Sequence, residues 1–460
     1  MTKVKNLASK SFLFVLFLLY ILMLLNSPRV VNQLDIDITV GFFLNGSIAI
    51  IGILQEKSSY SLNKFHWYFV LIFMVLAPIE NLIMNITHWG YSYNLDIVRY
   101  VNLLMLIWET VYFFSYKISH KIRIRRYTYS TRIYISKHEQ IMLLFLSILS
   151  TIVMVLRCGF SNLFIRDAAV FGTGTFAILF DYLFRSTPAL VSAIFILQRK
   201  KYKNISNALI FATLLMTLIL NSPIALSRFW SGTVYLGLAL IIIPENWIKG
   251  RRIDYIVIIG LLVIFPFFSY FKRFTLQQLF QQSIDINVFT VLSSDDFDAY
   301  SIFCKIVEYT QREGFTWGSQ IRSVIFFFVP RAIVNIKGQP TGELVFNYFN
   351  AFFSNVSAPI MGEGYIDFGI FGVITYAFAF AKILKSFDEK FWNTKNSNEF
   401  TYYQIIEPFL LGMTIFIMRG ALQPTFLRLM GFFLFLIIFY IVRRVLKHNV
   451  RRTQKYCFFS

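Results

Sequence analysis

The sequence predicts an all-α protein that crosses a membrane many times, and three observations carry that prediction. The chain of 460 residues is 57% hydrophobic and 15% charged, with 53 phenylalanines, a composition that no soluble class shares. Apolar runs near the 20-residue length of a bilayer span recur along it. Lys and Arg, in excess by a net +20, gather in alternate connecting segments instead of spreading evenly.

Taken in order, the apolar runs fall at about 11–26, 38–54, 66–84, 98–116, 140–156, 177–198, 206–225, 229–244, 254–271, 366–384, 402–418 and 425–442. They predict about twelve transmembrane helices, of which the first and eighth are short. Lys3, Lys5 and Lys10 precede the first run as they would in a signal peptide. However, Asn26-Ser27-Pro28-Arg29 offers no small-x-small cleavage pattern, so the run reads as an uncleaved span.

Counting alternately from a cytoplasmic N-terminus places the basic segments together on the inner side. These are Lys117 to Lys137, Arg199-Lys200-Lys201-Tyr202-Lys203, Lys249 with Arg251 and Arg252, and the tail from Arg443 to Lys455. This is the positive-inside pattern, with both termini cytoplasmic, and the clusters meet anionic headgroups of membrane lipids without any nucleic-acid partner. The expected division is 1–271 as spans one to nine, 272–365 as one large external segment, and 366–460 as spans ten to twelve with a basic tail.

The external segment is nearly charge-balanced and rich in aromatics, which is not the composition of a disordered linker. Ser293-Ser294-Asp295-Asp296 predicts a Ser-capped helix start, with Gly314 as its stop, and Ser319 to Val329 predicts a second, more apolar helix. Asp296-Phe297-Asp298 is a DxD-like pair of the kind that holds a divalent metal in some glycosyltransferases. Acids at a helix start more commonly serve as caps and dipole partners, so no metal or other cofactor is expected. Cys158, Cys304 and Cys457 are too few and scattered for a disulfide framework, and isolated thiols are expected over a Cys158–Cys304 pair. The five histidines form no HExxH, and the chain has no P-loop, no dinucleotide-binding GxGxxG and no GxSxG.

Chemistry-bearing residues concentrate between Val329 and Gly372. Pro330-Arg331, Lys337, Pro340 and Glu343 precede Ser357, Pro359 and Gly362-Glu363-Gly364-Tyr365-Ile366-Asp367-Phe368-Gly369. Arg binds phosphate oxygens in a fork and Lys offers a mobile charge, so Arg331 with Lys337 suits a diphosphate; alternatively, Glu343 or Asp367 simply neutralises Arg331. Spacing by two puts Glu363, Tyr365 and Asp367 on one side of an extended segment, whereas a helix spreads them by about 100° per residue. Either acid serves as general base for a sugar hydroxyl or as the counter-charge of Arg331. Arg228, beside Phe229 and Trp230, is an interfacial anchor or a cation lining an outward-facing anion site. Arg273 reads the same way.

A many-span chain with a late external segment carrying Pro330-Arg331, Lys337…Pro340, Ser357…Pro359 and Gly362 to Gly372 resembles the O-antigen polymerase (Wzy-type) family. It departs from the family pattern in the two residues, Gly338-Gln339, that separate Lys337 from Pro340. The resemblance implies a GT-C-like architecture in a bacterial cytoplasmic membrane. It also implies a glycosyltransferase that polymerises undecaprenyl-diphosphate-linked oligosaccharide repeat units for O-antigen, capsule or exopolysaccharide. Under it, Arg228, Arg331, Arg273 and Lys337 bind diphosphate. Glu363, with Asp367 in reserve, is the base, and Tyr365 contacts sugar. Whether a chain-length regulator joins it is left open. An O-antigen ligase shares the donor, and a lipid-linked oligosaccharide flippase shares the span count. The flippase would concentrate charge at mid-span, where Glu80, Glu109, Asp181 and Glu407 are the candidates.

Overall fold

The computed structural model describes residue 17 and residues 34–90, 92–118, 133–165, 172, 174–248, 250, 252–260, 292–329, 338–350, 356–396 and 400–457. Among them there are helices and no strand. In chain order those of seven residues or more are α1 (Ile36–Gln55), α2 (Leu62–Ile83), α3 (Leu95–Lys117), α4 (Lys137–Cys158), α5 (Thr175–Tyr202), α6 (Asn207–Leu220), α7 (Arg228–Ile242) and α8 (Arg252–Ile259). Then follow α9 (Ala299–Glu313), α10 (Ser319–Ile325), α11 (Thr341–Tyr348), α12 (Ile360–Asn396), α13 (Tyr402–Arg419) and α14 (Leu422–Cys457).

Seven of these helices, α1 to α5, α12 and α14, are long and apolar enough to cross a membrane. They coincide with seven of the twelve expected runs, so the chain is a helical membrane protein. The runs at 206–225 and 229–244 form the shorter apolar helices α6 and α7. Helix α6 stops at Asn221, whose amide donates to Arg185 O and Thr217 O, and Pro223 follows shortly after. The run at 402–418 forms α13, with Pro408 inside it. The first run, apart from Phe17, and most of the ninth lie outside the described residues.

The chain clusters into two compact units that interleave along the sequence, 1–125 with 243–389 and 414–425, and 126–242 with 390–413 and 426–460. In the first unit α2 is buried on every side, as an all-round apolar helix must be. Its start is fastened by Ser61, whose hydroxyl accepts Lys64 N, and by Asp388 of α12, which accepts Leu62 N and Asn63 N at 2.8 and 3.1 Å. Lys64 is buried, and its charge is matched by buried Asp254 at 2.9 Å, which also accepts the Tyr68 hydroxyl. Gly52 lets α1 approach Trp67, since a Cβ there would lie 2.3 Å from the indole.

The expected external helices also belong to this unit. Helix α9 packs against α3 and α11, and Tyr300 donates to Asn102 Oδ1 at 2.9 Å. The predicted Ser-capped start is replaced by a 3₁₀ turn at Asp295–Phe297, and α9 begins only at Ala299. The reason is that the carbonyls of Asp295 and Asp296 and the Asp298 carboxylate are drawn to Arg419. The predicted stop holds, because Gly314 ends α9 at φ +82°. Helix α10 ends at Ile325, shorter than the run to Val329 suggested. Cys304 is a free, buried thiol on α9, and burial pushes its pKa well up, so it is protonated and unreactive. Cys158 is likewise free and buried, in the second unit.

The second unit is held by close helix crossings and by paired charges. Ser136 and Glu139 form a capping box on α4, and Glu139 also takes Arg443 of α14 at 2.7 Å, both side chains being buried. Arg185 joins Asp181 one turn away and donates to Leu220 O at 2.6 Å, while Trp230 Nε1 donates to Asn221 Oδ1. At Gly412 a Cβ would lie 2.6 Å from Thr233 Cα, so α13 and α7 meet backbone to backbone. Gly412→Val is expected to destabilise the fold by about 1–3 kcal/mol, because backbone cannot move aside for the added carbons. Thermal unfolding in detergent measures it, and a wild-type midpoint would contradict so close a crossing.

Candidate functional site

The residues from Ile360 onward are helical, so the acids singled out in the sequence follow the helical spacing and not the extended one. Glu363 and Asp367 stand one turn apart on α12, and Tyr365 points elsewhere. The helix then breaks at Phe368 (φ −146°, ψ 21°) and Gly369 (φ 61°, ψ −142°) before continuing to Asn396. Glycine is required at the break on two counts. Its φ is left-handed, and a Cβ at Gly369 would meet the Phe315 ring at 2.9 Å.

Both acids are fully buried, and both act as acceptors for groups on other elements. Asp367 Oδ1 accepts the Thr316 hydroxyl at 2.8 Å and Gln320 N at 3.1 Å. Its Oδ2 accepts Ile321 N at 3.1 Å and the Tyr376 hydroxyl at 2.7 Å. The carboxylate thus caps the N-terminus of α10 from another helix, where both unpaired N–H groups and the helix dipole favour a negative charge. Glu363 Oε1 accepts Leu422 N, the first residue of α14, at 2.8 Å. Its Oε2 accepts the hydroxyl of Thr341, the first residue of α11, at 2.5 Å.

The two carboxylates therefore bracket one stretch of chain. Asp367 holds the start of α10, and Glu363 holds the start of α11. Arg331 and Lys337 fall between the two anchors in sequence and lie outside the described residues, as does Arg273. The chain is described again from Gly338, whose carbonyl accepts the Ser323 hydroxyl of α10 at 3.3 Å.

Tyr365 is buried, with its ring edge-on to Tyr100, Phe303 and Phe315 at centroid distances of 6.0, 6.3 and 5.9 Å. Its hydroxyl meets that of Tyr100 at 3.5 Å. Arg228 opens α7 in the second unit and is buried there.

Buried polar side-chain groups occur near the segments that the acids hold, and of these only Ser357 was singled out in the sequence. Gln320 Nε2, Arg322 Nε, Ser357 Oγ and Gln423 Oε1 are buried without a hydrogen-bond partner among the described residues. Gln320, Arg322 and Gln423 are held residues or their immediate neighbours. Ser357 lies against α11, where a Cβ on Gly342 would be 3.0 Å from its carbonyl. Arg419 was also missed. It donates to Asp296 O, Asp295 O and Asp298 Oδ1 at 2.7, 3.0 and 2.8 Å. A cation at the expected outer end of the eleventh run, against the positive-inside trend, was the available signal.

Asp298 also accepts Trp89 Nε1 at 3.0 Å, and Asp295 lies 3.6 Å from His88. The DxD-like acids thus serve the fold at this corner, and among the described residues no group of three His, Cys, Asp or Glu is arranged for a metal. Of the mid-span acids, Glu80 accepts the Ser293 hydroxyl at 2.6 Å and Asp181 pairs with Arg185. Glu109 on α3 is fully buried, and neither of its oxygens has a partner among the described residues.

Comparison with known proteins returned no match among protein-family models, curated proteins or solved structures.

Asp367→Ala is expected to strand two backbone N–H groups of α10 and two hydroxyls, at a cost on the order of 3 kcal/mol. Loosening α10 should also speed tryptic cleavage at Arg322. A variant with wild-type melting and cleavage would show that Asp367 does not hold α10.

Proposed function

We propose that this protein is a glycosyltransferase that polymerises lipid-linked oligosaccharide repeat units at the outer face of a bacterial cytoplasmic membrane. The observation that carries the reading is the bracketing of the Arg331–Lys337 stretch by two buried carboxylates one turn apart on α12. In sequence, cations suited to a diphosphate thus fall between two segments that are held by the acids, one of them suited to take a proton from a hydroxyl. The unpartnered buried amide, hydroxyl and guanidinium groups beside the acids are the kind of lining that a sugar's hydroxyls satisfy.

In the proposed reaction a hydroxyl of a newly exported lipid-linked repeat unit attacks the anomeric carbon of the growing chain. The bond from that carbon to the diphosphate oxygen breaks, and undecaprenyl diphosphate departs with the electron pair. Arg331, Lys337 and Arg273 stabilise the charge that develops on it. Glu363 takes the proton of the attacking hydroxyl. Asp367 is a positioning residue in this reading, and Tyr365 supports the wall through its ring. The apolar spans accommodate the polyprenyl tails.

A transporter reading rests on Glu109, a buried carboxylate of the sort that couples ions to substrate movement. The two readings part in a single experiment with purified protein in a bilayer and undecaprenyl-diphosphate-linked repeat units. A ladder of longer glycans is expected. General-base loss in Glu363→Gln should slow it by about 10²–10⁴-fold. Arg331→Ala and Lys337→Ala are expected to slow it as well, with Arg228→Ala assayed in parallel. Movement of intact units across the bilayer with no ladder would overturn the polymerase reading in favour of transport. A full-rate ladder from Glu363→Gln would remove Glu363 from the chemistry.

A further inference from the structure

The basic run at the end of α5 has a feature that positive-inside topology does not require. Arg199, Lys200 and Lys203 line a groove of about 560 Å³ whose remaining lining residues are Ile196, Ile210, Leu214 and Ile242. All seven belong to the second unit, and they come from the C-terminal ends of α5 and α7 and the first turns of α6. Cations crowd one end of a slot otherwise walled by aliphatic side chains of apolar helices. The volume suits a ligand with one charged end and hydrocarbon behind it.

The cations are set differently. Arg199 donates one guanidinium nitrogen to Ile205 O at 2.6 Å, which orients the planar fork. Lys200 reaches the last carbonyls of α7, Ile241 O and Ile242 O, at 2.5 and 3.2 Å. Lys203 is exposed and occupies the left-handed C-cap position of α5, with φ 54° and ψ 20°. That position ordinarily favours Gly, because a Cβ strains the left-handed backbone. A lysine there keeps a strained backbone, and what it gains is a third cation at the mouth of the groove.

We propose that this groove binds one anionic glycerophospholipid, with its phosphate among Arg199, Lys200 and Lys203 and an acyl chain along Ile196, Ile210, Leu214 and Ile242. Charge complementarity selects the phosphate end, and the apolar floor distinguishes a lipid from a soluble phosphate. The site is independent of the glycosyl-transfer reading and lies in the unit that does not contain Glu363 and Asp367.

The test is lipid retention by the purified full chain after delipidation, read by native mass spectrometry with phosphatidylglycerol or phosphatidylcholine added back. Phosphatidylglycerol is expected to be retained preferentially. Lys203→Gly should lower that retention about fivefold while leaving the melting temperature equal or higher, since it removes both a charge and the backbone strain. Leu214→Trp, which fills the floor, should lower retention of the anionic lipid while Lys203 is intact. Equal retention of both lipids, or unchanged retention in both variants, would overturn the proposal. Displacement of the lipid by millimolar inorganic phosphate would also overturn it, because it would mark a soluble-anion site.

Discussion

The first unit depends on a single demand, that a carboxylate and a helix N-terminus removed from water must satisfy each other. Asp367 offers two oxygens to four donors, two of them the N–H groups that open α10. Neither partner tolerates burial alone. An unpaired buried N–H costs about 1–3 kcal/mol, and an uncompensated carboxylate costs more. Glu363 makes the same exchange with Leu422 N at the start of α14, and Asp388 repeats it at the start of α2. All three acids project from α12, so this one helix carries the fasteners for α2, α10, α11 and α14. The break at Phe368–Gly369 lies next to Asp367, and it allows Tyr376 of the second half to reach the Asp367 carboxylate.

Paired charge does comparable work in the apolar helices. Lys64 with Asp254, Glu139 with Arg443, and Arg185 with Asp181 are matched within 2.7 to 2.9 Å. Removing one member of such a pair leaves a charge in low dielectric, so the Lys64–Asp254 and Glu139–Arg443 pairs specify which helix faces meet rather than adding much net stability, whereas Arg185 and Asp181 pair within α5. Glu109 is buried with neither oxygen hydrogen-bonded among the described residues, and the transport reading is tied to it.

The helical membrane class and seven helices long and apolar enough to cross a membrane were legible because run length and hydropathy are local properties of the sequence. So was the stop of α9 at Gly314, since a left-handed cap depends on one residue. The start of α9 was not legible. Ser294 and the following acids carry a capping signature, but Arg419, more than a hundred residues away, takes the Asp295 and Asp296 carbonyls and the Asp298 carboxylate as hydrogen-bond acceptors. The roles of Glu363 and Asp367 as fasteners were hidden for the same reason. Their partners at Thr341, Leu422, Thr316 and Gln320 are contributed by elements whose spatial order no local pattern encodes. Concentration of charge between Val329 and Gly372 was visible, and the bracketing of the cationic stretch by two acids was not.

The hydrogen bonding also ranks the two acids for chemistry. Each oxygen of Asp367 accepts a backbone N–H, and a backbone donor cannot turn away without unwinding the helix it opens. Glu363 Oε1 is held in the same way by Leu422 N. Oε2 of Glu363 differs, because its partner is the Thr341 hydroxyl, a rotor that can donate elsewhere or accept. Of the four oxygens, this is the one that a sugar hydroxyl can approach by side-chain rotation alone. Thr341 begins the helix that follows Lys337 and Pro340 in sequence, so the residue covering the acid adjoins the cationic stretch along the chain. On the proposed reading, leaving-group binding and exposure of the base would be linked through a single threonine.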